Sequence, residues 1–386
     1  MEWKKVNLEE LCEVIAGQSP PSSTYNTRGE GLPFFQGKTD FGDIYPRVRI
    51  WCNQPNKTAF PGDILLSVRA PVGPTNICNV KSAIGRGLAA IRSNGKTNNK
   101  YVYYYFKLIE PKLSASGNGS TFSAITTGDV KNIEIPLPPL PTQQRIAAIL
   151  DEADALRKAD AQLLAKYDEL LQASFLEMFN ESIAKYKAWK KSKLEKVADV
   201  QSGLQVSSNA RMDLPISIPY LRVANVYRNE LDLTEIKYIQ VTESEIKRIQ
   251  LFKNDILVVE GHGNKNEIGR AAIWDGSIDP ILHQNHLIRV RTHPSILSPI
   301  FLCFFLNSDI GRKQMFSSSN TTSGLNTITT SVVKNIDLIL PPFKIQNQFA
   351  DIAIGIKLQK KILVKQQQQS EALFQSLLQR AFRGEL

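Results

Sequence analysis

The amino-acid sequence predicts a mixed α+β fold in which two related globular segments are each followed by a long helix. Residues 126–139 read TTGDVKNIEIPLPP, and residues 329–342 repeat this passage as TTSVVKNIDLILPP. The chain also opens with WKKVNLEELCEVIAG at 3–17, which returns as WKKSKLEKVADVQSG at 189–203. A repeat of this length indicates two copies of one folding unit.

The repeat divides the chain into four parts. We assign a first globular segment to residues 1–140, a helix to 141–180, a second globular segment to 181–342 and a final helix to 343–386. The two copies differ mainly in the loops between their matching passages. Because related scaffolds vary their binding through loops, the two segments are expected to recognise different targets.

The charge of the chain suits a polyanionic partner such as DNA or RNA. Its net charge is +10 at pH 7. Both globular segments carry an excess of lysine and arginine, whereas the helix at 141–180 carries an excess of aspartate and glutamate. Polyanion binding is therefore expected in the repeated segments rather than in this helix.

Cysteine usage and hydropathy indicate a cytoplasmic protein. The cysteines are scattered, form no CxxC pair and are interpreted as reduced core thiols: Cys12, Cys52, Cys78 and Cys303. The opening MEWKKVNLEE lacks the apolar region of a signal peptide. No apolar run approaches the ~18 residues needed to span a membrane, so no membrane contact is expected.

Each globular segment combines strands with a helix. The runs DILLSV (63–68) and DILVVE (255–260) follow turn-forming residues and predict buried strands. The apolar stretches at 101–109 and 300–308 predict helices. A polar Ser/Thr/Asn/Gly run follows each helix at the same place in both copies, which favours a structured loop over a flexible linker: 114–128 and 316–330.

The two long helices carry apolar residues at heptad spacing, without an internal proline. One heptad position of the first helix holds Ile146, Ala153, Asp160, Tyr167 and Ser174, the other holds Ile149, Leu156, Leu163 and Leu170, and the second helix has Phe349, Ile352, Ile356, Leu363, Leu373 and Leu377. This spacing predicts that the helices pair as an antiparallel coiled coil, with the globular segments related by a pseudo-twofold axis. The apolar seam is interrupted at Asp160 and around residues 366–369.

Motifs for catalysis or metal binding are not indicated. The sequence has no GxxxxGK[ST] loop and no GxGxxG motif after a strand. LPPL and LPPF lack the Asn or Asp that the (N/D)PP(Y/F) motif of amino-methyltransferases requires. His283 and His286 have a spacing compatible with a metal, but no cysteine or carboxylate cluster accompanies them. The simplest interpretation of these histidines is a polar, partly exposed strand, and a DNA contact is favoured over a metal site.

The repeated unit closely resembles the specificity subunit of type I restriction–modification enzymes. The passage IPLPPLPTQQRIAAILDEADAL at 135–156 resembles the central conserved region of that family, and LFQSLLQRAFRGEL at 373–386 resembles its distal one. The resemblance covers essentially the whole chain. One departure is that the second helix opens QNQFADIAI, with Gln348 where the first has Arg145.

This resemblance implies a non-catalytic subunit that reads a bipartite, asymmetric sequence in double-stranded DNA. Each target-recognition domain would read one half-site, and the paired helices would set the spacer. Two modification (N6-adenine methyltransferase) subunits and the restriction subunits would be the partners, and they would hold S-adenosylmethionine, ATP and Mg²⁺. The resemblance places subunit docking on Gln144, Arg145, Ile149, Phe349 and Ile352.

Candidate DNA contacts are polar and basic residues in loops or just after predicted strands. Arginine recognises guanine and asparagine or glutamine recognises adenine in the major groove, while lysine and arginine also bind phosphates. The candidates are Lys38, Arg69, Arg86, Asn118 and Thr121 in the first segment, and Arg222, His262, Lys265, Asn266, Arg270, Gln284, Asn285, Asn320 and Asn326 in the second.

Two other classes of protein remain open on the sequence alone. A coiled-coil adaptor would join proteins without sequence-specific DNA binding. A self-sufficient nuclease or methyltransferase would need a degenerate active site, which the motif search disfavours. The adaptor is the stronger alternative, because it explains the helices without requiring catalytic residues.

Overall fold

The protein is described by a computed structural model that covers residues 3–116, 124–179, 189–206, 214–317, 320–322 and 325–386. The chain divides into two compact units. Unit 1 comprises residues 1–163 with 363–386, and unit 2 comprises residues 164–362. Both units combine helices with sheets, which confirms the mixed α+β class. Each unit contains part of both long helices.

The first part of unit 1 consists mainly of short strands and leads into the first long helix, which continues into unit 2. Strands β1 to β11 cover Lys5–Asn7, Cys12–Ala16, Tyr25–Asn26, Leu32–Phe35, Trp51–Cys52, Thr58–Ala59, Ile64–Ser67, Thr75–Ile77, Ser82–Ile84, Leu88–Ser93 and Glu134–Pro136. Helices α1 to α3 cover Asn99–Ser116, Thr127–Lys131 and Leu140–Phe179. The predicted strand at 63–68 and helix at 101–109 are therefore confirmed as β7 and α1.

Unit 2 repeats this order with added strands and helices. Strands β12 to β25 cover Lys190–Lys193, Ala198–Ser202, Ile216–Leu221, Val226–Tyr227, Glu230–Leu231, Lys237–Val241, Ile256–Val259, Gly261–His262, Ala271–Ile273, Leu282–His283, Leu287–Thr292, Asn320–Thr322, Leu325–Thr327 and Asp337–Leu340. Helices α4 to α8 cover Glu243–Ile249, Pro299–Asn307, Asp309–Ser317, Thr330–Lys334 and Phe343–Arg383.

The two units share one sheet topology. The central antiparallel sheet has the order β2-β10-β7-β8 in unit 1 and β13-β22-β18-β20 in unit 2. The middle strands β7 and β18 are buried along their whole length, which explains why their sequences are continuously apolar rather than alternating. Each unit also has a separate two-stranded antiparallel sheet, formed by β1 and β11 in unit 1 and by β12 and β25 in unit 2. The sequence repeat is thus a repeat of fold.

The ends of the long helices complete the cores of the two units. In unit 1, Phe374 and Phe382 near the end of α8 are buried in one core with Ile146 and Leu150 near the start of α3. In unit 2, Phe175 near the end of α3 packs on Phe349 near the start of α8, with ring centroids 5.2 Å apart. Since the start of one helix lies beside the end of the other in each unit, the predicted antiparallel pairing is confirmed.

A buried ion pair recurs at the same place in both copies. Asp63 accepts hydrogen bonds from Arg92 at 3.0 and 2.8 Å, and Asp255 accepts two from Arg291 at 2.7 Å. Each carboxylate also accepts a backbone N–H from the turn before its strand. The pair therefore fastens the turn that opens the central strand to the strand next to it.

Replacing Asp255 with alanine is expected to lower the free energy of unfolding by about 2 to 4 kcal/mol, because it leaves the Arg291 guanidinium and the Phe252 N–H without their acceptor. The cost stays below that of a fully buried pair because Arg291 keeps 32% of its side chain exposed. Urea unfolding measures the change. Arg28→Ala is the control, since the exposed Arg28–Glu30 pair should contribute well under about 1 kcal/mol. Equal losses in both variants would contradict this role.

Candidate nucleic-acid interface

Loops from several strands of unit 1 meet at one edge of its central sheet. A Cβ at Gly17 would collide with the carbonyl oxygen of Gly85, and one at Gly87 would collide with that of Gln36. Only glycine permits such close backbone approaches. The N–H of Val68 also donates to the Gly87 carbonyl at 3.0 Å. The ends of β2, β4 and β7 and the start of β10 are thereby held together, and we call this edge the loop edge of unit 1.

Three predicted DNA-contact residues lie on this loop edge. Lys38, Arg69 and Arg86 are exposed and form no ion pair with a described residue. The backbone of Arg69 forms an isolated antiparallel β-bridge with that of Ala124, and the backbone N–H of Arg86 donates to Ser19 Oγ at 3.2 Å. The backbone is therefore fixed while the cationic side chains remain available. Asn118 and Thr121 lie outside the described residues.

Unit 2 forms an equivalent loop edge. A Cβ at Gly203 would collide with the carbonyl oxygens of His283 and Gln284. The N–H of Gln284 donates to Leu221 at 3.0 Å, and the N–H of Asn285 donates to Leu204 at 2.8 Å. The amide side chains of Gln284 and Asn285 are half-buried and lie where β13 and β14 end and β22 begins. Both residues are in the loop between β21 and β22, and a position in a loop was predicted.

A small sheet extends the loop edge of unit 2. Strand β19 pairs with β24, which also pairs with β23. His262 lies opposite Asn326, and its Nδ1 accepts the N–H of Asn264 at 3.0 Å. The predicted structured loop at 316–330 is therefore partly a β-hairpin. Lys265 lies in a short 3₁₀ helix, Asn320 lies on β23 and Asn326 lies on β24.

Arg270 does not present its side chain to a ligand, contrary to the prediction. It is 6% exposed, and its Nη1 forms an ion pair with Glu267 at 3.0 Å. Nη2 donates to the carbonyl of Val223 at 3.0 Å, and the guanidinium stacks over Tyr227. Arg270 therefore holds the loop before β20 in place. Sequence reasoning could not detect this, because a buried arginine and an exposed one look alike in a polar loop.

Arg222 and Asn266 are also tied to the protein. Arg222 Nη2 forms an ion pair with Glu235 Oε2 at 2.7 Å, and the side chain is 21% exposed. Asn266 is exposed, but its carbonyl accepts a hydrogen bond from Arg312 at 3.3 Å. Both residues remain at the loop edge, with Arg222 less available than the cations of unit 1.

His283 lies on a strand, β21, but its interpretation as partly exposed is wrong. His283 is fully buried, and burial, with the nearby charge of Arg289, lowers its pKa to about 3. His286 is exposed and lies 3.2 Å from a carboxylate oxygen of Glu260. Among the described residues no group of three or more His, Cys, Asp or Glu side chains is arranged to hold a metal ion.

The docking residues predicted on the long helices fall into two groups. Gln144 and Arg145 are exposed, Ile149 is half-buried and Ile352 is exposed. Phe349 is fully buried in the core of unit 2, so its prediction as a docking residue is wrong. Its size and heptad position suit a core residue as well as a docking one, and the sequence does not separate the two.

The polar interruptions of the two helices meet each other. Asp160 is 3% exposed; its Oδ1 accepts a hydrogen bond from Gln366 at 2.7 Å, and its Oδ2 accepts one from Ser370 at 2.8 Å. Arg157 stands one turn away and forms an ion pair with Glu371 at 3.0 Å. A buried polar layer favours one register of pairing, because a shifted helix would leave the carboxylate without partners.

The second heptad position of α3 is not part of this seam. Leu156, Leu163 and Leu170 were predicted to pack between the helices, but they are 46%, 43% and 51% exposed. At the first heptad position, by contrast, Ile146, Ala153 and Asp160 are buried. Helix α3 therefore presents a row of leucines, spaced by one heptad, to the solvent, and we call Leu156, Leu163 and Leu170 the leucine row.

Other side chains share these surfaces and were not singled out from the sequence. Gln36 is exposed on the loop edge of unit 1 beside Lys38. Its position directly after the apolar run of β4 is the signal that identifies it.

The cysteines are confirmed as free and buried, and burial raises the pKa of Cys12 to about 12. No helix in the described part of the chain is both long and apolar enough to cross a membrane.

Comparisons with known proteins give a consistent family. Residues 1–166 and 186–369 match the model of the type I restriction modification DNA specificity domain. The putative type I restriction enzyme MjaX specificity subunit of Methanocaldococcus jannaschii is 51% identical over 158 residues, covering 40% of this chain and 37% of that protein. The EcoKI specificity subunit of Escherichia coli K12 is 26% identical, covering 72% of this chain and 63% of that protein. The matched regions thus span less than two thirds of either relative.

A solved structure supports the fold independently. The type I restriction-modification S subunit from M. genitalium matches with a TM-score of 0.61 at 18% sequence identity, covering 99% of this chain and 96% of that chain. At this identity the match concerns the fold alone.

Proposed function

The chain belongs to the type I restriction-modification DNA specificity family, and on that premise we propose that it is the DNA-recognition subunit of a type I restriction–modification complex. Each unit would read one half of a bipartite, asymmetric site, with its loop edge as the reading surface. The subunit itself would be non-catalytic. It would direct the methyltransferase and restriction subunits to the DNA, in the cytoplasm.

One observation supports this proposal above all. Both units have a loop edge at the same place in the same sheet topology, but the side chains at the two edges differ. In unit 1 the edge presents Lys38, Arg69 and Arg86, and in unit 2 it presents Gln284 and Asn285. Arginine suits the O6 and N7 acceptors of guanine, and the amide side chains suit adenine. Because the two units would contact DNA through different side chains, the two half-sites of the recognised DNA sequence would differ.

The paired helices would set the distance between the half-sites. The layer formed by Asp160, Gln366 and Ser370 favours one register, so the spacer would have one length. In this proposal the coiled coil determines the length of the spacer between the half-sites. It does not require any contact of the helices with DNA.

The helices also offer a surface for the partner subunits. Gln144 and Arg145 are exposed at the start of α3, and the leucine row continues along the same helix. Two modification subunits would dock there and on the equivalent part of α8 around Ile352, and the restriction subunits would join them. S-adenosylmethionine, ATP and Mg²⁺ would belong to those partners.

Docking on the leucine row is testable with two substitutions. Leu156→Gln with Leu163→Gln is expected to weaken binding of the modification subunit by tenfold or more, because covering two half-exposed leucines contributes on the order of 2 kcal/mol. Isothermal titration or co-purification measures the effect. Ala161→Gln is the matched control, since this residue is exposed on another side of α3. Unchanged binding in the double variant would place docking elsewhere.

Salt-dependent DNA binding separates this function from the adaptor. The chain is assembled with its modification subunits, and its affinity for DNA is measured over a range of salt concentrations. We expect the logarithm of the affinity to fall linearly with the logarithm of the salt concentration, as counterions are released from phosphates. An assembled complex that binds no DNA would favour the adaptor. Methylation or cleavage by the purified chain alone would instead favour a self-sufficient enzyme.

A further inference from the structure

Unit 2 contains an arginine cluster that the described residues neutralise only in part. Arg228 follows β15, Arg270 precedes β20 and Arg312 lies on α6. Glu267 is the carboxylate close to them. A hydrogen bond from Arg270 lowers the pKa of Glu267, and the charge of Arg228 adds to this effect. Arg270 and Arg228 act on this one carboxylate, and Arg312 lies close enough to Arg228 for the two charges to repel, which leaves an excess of positive charge.

Several N–H groups of this cluster have no acceptor. Arg228 and Arg312 both donate through Nη2 to the carbonyl of Asn266, the latter at 3.3 Å. Arg228 Nη1 and the Nε atoms of Arg270 and Arg312 are buried and have no hydrogen-bond partner among the described residues. Burial, followed by the charge of Arg312, lowers the pKa of Arg228. Buried donors without acceptors are costly, so a group that accepts hydrogen bonds and carries negative charge would stabilise this site.

The cluster borders the loop edge of unit 2. Val258 at the end of β18 pairs with Ala271 at the start of β20, so the residues just before Ala271 lie at the same edge as His262. A groove beside the cluster is lined by Arg312, Lys313 and Phe316, with Asp309 as its acidic member. DNA seated on the loop edge would therefore bring its backbone close to Arg228 and Arg312.

We propose that Arg228 and Arg312 bind a phosphodiester group of the DNA that flanks the half-site of unit 2. This inference rests on the DNA recognition proposed above. Arg228 and Arg312 are half-buried, so a phosphate reaches the guanidinium groups from the surface. A small rotation of the side chains turns the unpaired N–H groups toward a phosphate oxygen, whose charge offsets the excess of the cluster; planar guanidinium groups fit phosphate geometry well. Because the contact is with the backbone, it positions the protein without reading a base.

The repeat gives unit 1 no arginine at the position of Arg228. The short pairing of Val226 with Leu231 corresponds to the bridge of Phe41 with Pro46 in unit 1. Counting from these pairs, unit 1 has Asp43 where unit 2 has Arg228. A carboxylate would repel a phosphate, so the two units would hold DNA with different numbers of backbone contacts.

Glutamine variants of the two arginines test the site in the assembled complex. Arg228→Gln and Arg312→Gln are each expected to reduce the slope of log affinity against log salt by about 1, while the preferred bases stay the same. The control is Arg248→Gln. Arg248 is exposed on α4, which follows β17 at the end of the sheet opposite the loop edge. This variant loses the same charge and should retain the wild-type slope.

A second measurement leaves the protein unchanged. Duplexes with a single uncharged methylphosphonate at successive flanking positions are compared; one position should weaken binding by wild type and not by Arg228→Gln. Wild-type slopes in both arginine variants would overturn the proposal, as would a changed base preference. Thermal stabilisation by inorganic phosphate that Arg228→Gln abolishes, with an unaltered DNA slope, would show a free-anion site instead. Absence of DNA binding by wild type would refute the proposed function itself.

Discussion

Replacing residues 261–266 with the equivalent loop of another family member is expected to change one half of the methylated sequence and to leave the other half intact. These residues include His262 and lie at the loop edge of unit 2. A larger exchange of residues 260–271 would disturb the core, because Ile268 is fully buried and Arg270 anchors the loop. Retaining residues 267–271 preserves that anchor. Since each misread base pair costs about 1 to 3 kcal/mol, methylation of the original motif should fall by about 10- to 100-fold.

The matching exchange in unit 1 controls for general damage. Replacing residues 68–73, which include Arg69, should alter the other half of the motif and spare the half read by unit 2. Methylated motifs are read by single-molecule sequencing of host DNA. If either exchange changed both halves together, the assignment of one half-site to each unit would be wrong.

Inserting one heptad into each long helix is expected to lengthen the spacer by about three base pairs. Seven residues add about 10 Å at 1.5 Å per residue, and DNA rises about 3.4 Å per base pair. Duplicating residues 161–167 in α3 and 359–365 in α8 keeps the layer of Asp160 with Gln366 intact. It also keeps the pair of Asp168 with Lys360. The original motif should lose its methylation, and a motif with the same halves and a longer spacer should replace it.

A single insertion provides the control for this experiment. With the heptad in α3 alone, the contacts on either side of the insertion cannot both form in one register. Methylation should then be lost without the appearance of a new motif. An unchanged spacer in the double insertion would show that the helices do not determine the distance between the half-sites.

Local patterns in the sequence predicted much of the architecture. The apolar runs at 63–68 and 255–260 became β7 and β18, and the proline-terminated repeats led into α3 and α8. These predictions succeeded because a buried strand needs a continuous apolar run, and a proline-free stretch of heptads has few alternatives to a long helix.

Tertiary partners accounted for what the sequence could not predict. Heptad spacing marked Leu156 and Phe349 alike as seam residues, whereas the first is exposed and the second lies in the core of unit 2. The partners of Asp160 are Gln366 and Ser370, and nothing in the local sequences indicates that these residues meet. Likewise, Arg270 and His283 were considered as polar contacts because their type suggests exposure, but both are buried by elements distant in sequence.

Single-molecule methylome sequencing of the host with and without the gene tests most directly whether this chain selects the DNA sequence that its complex methylates. We predict that deleting the gene removes N6-methyladenine from one bipartite motif, and that restoring the gene restores this motif. Restoration with the loop of residues 261–266 exchanged should return a motif altered in one half. A methylome that carries the same bipartite motifs with and without the gene, while the complex is expressed, would contradict the claim.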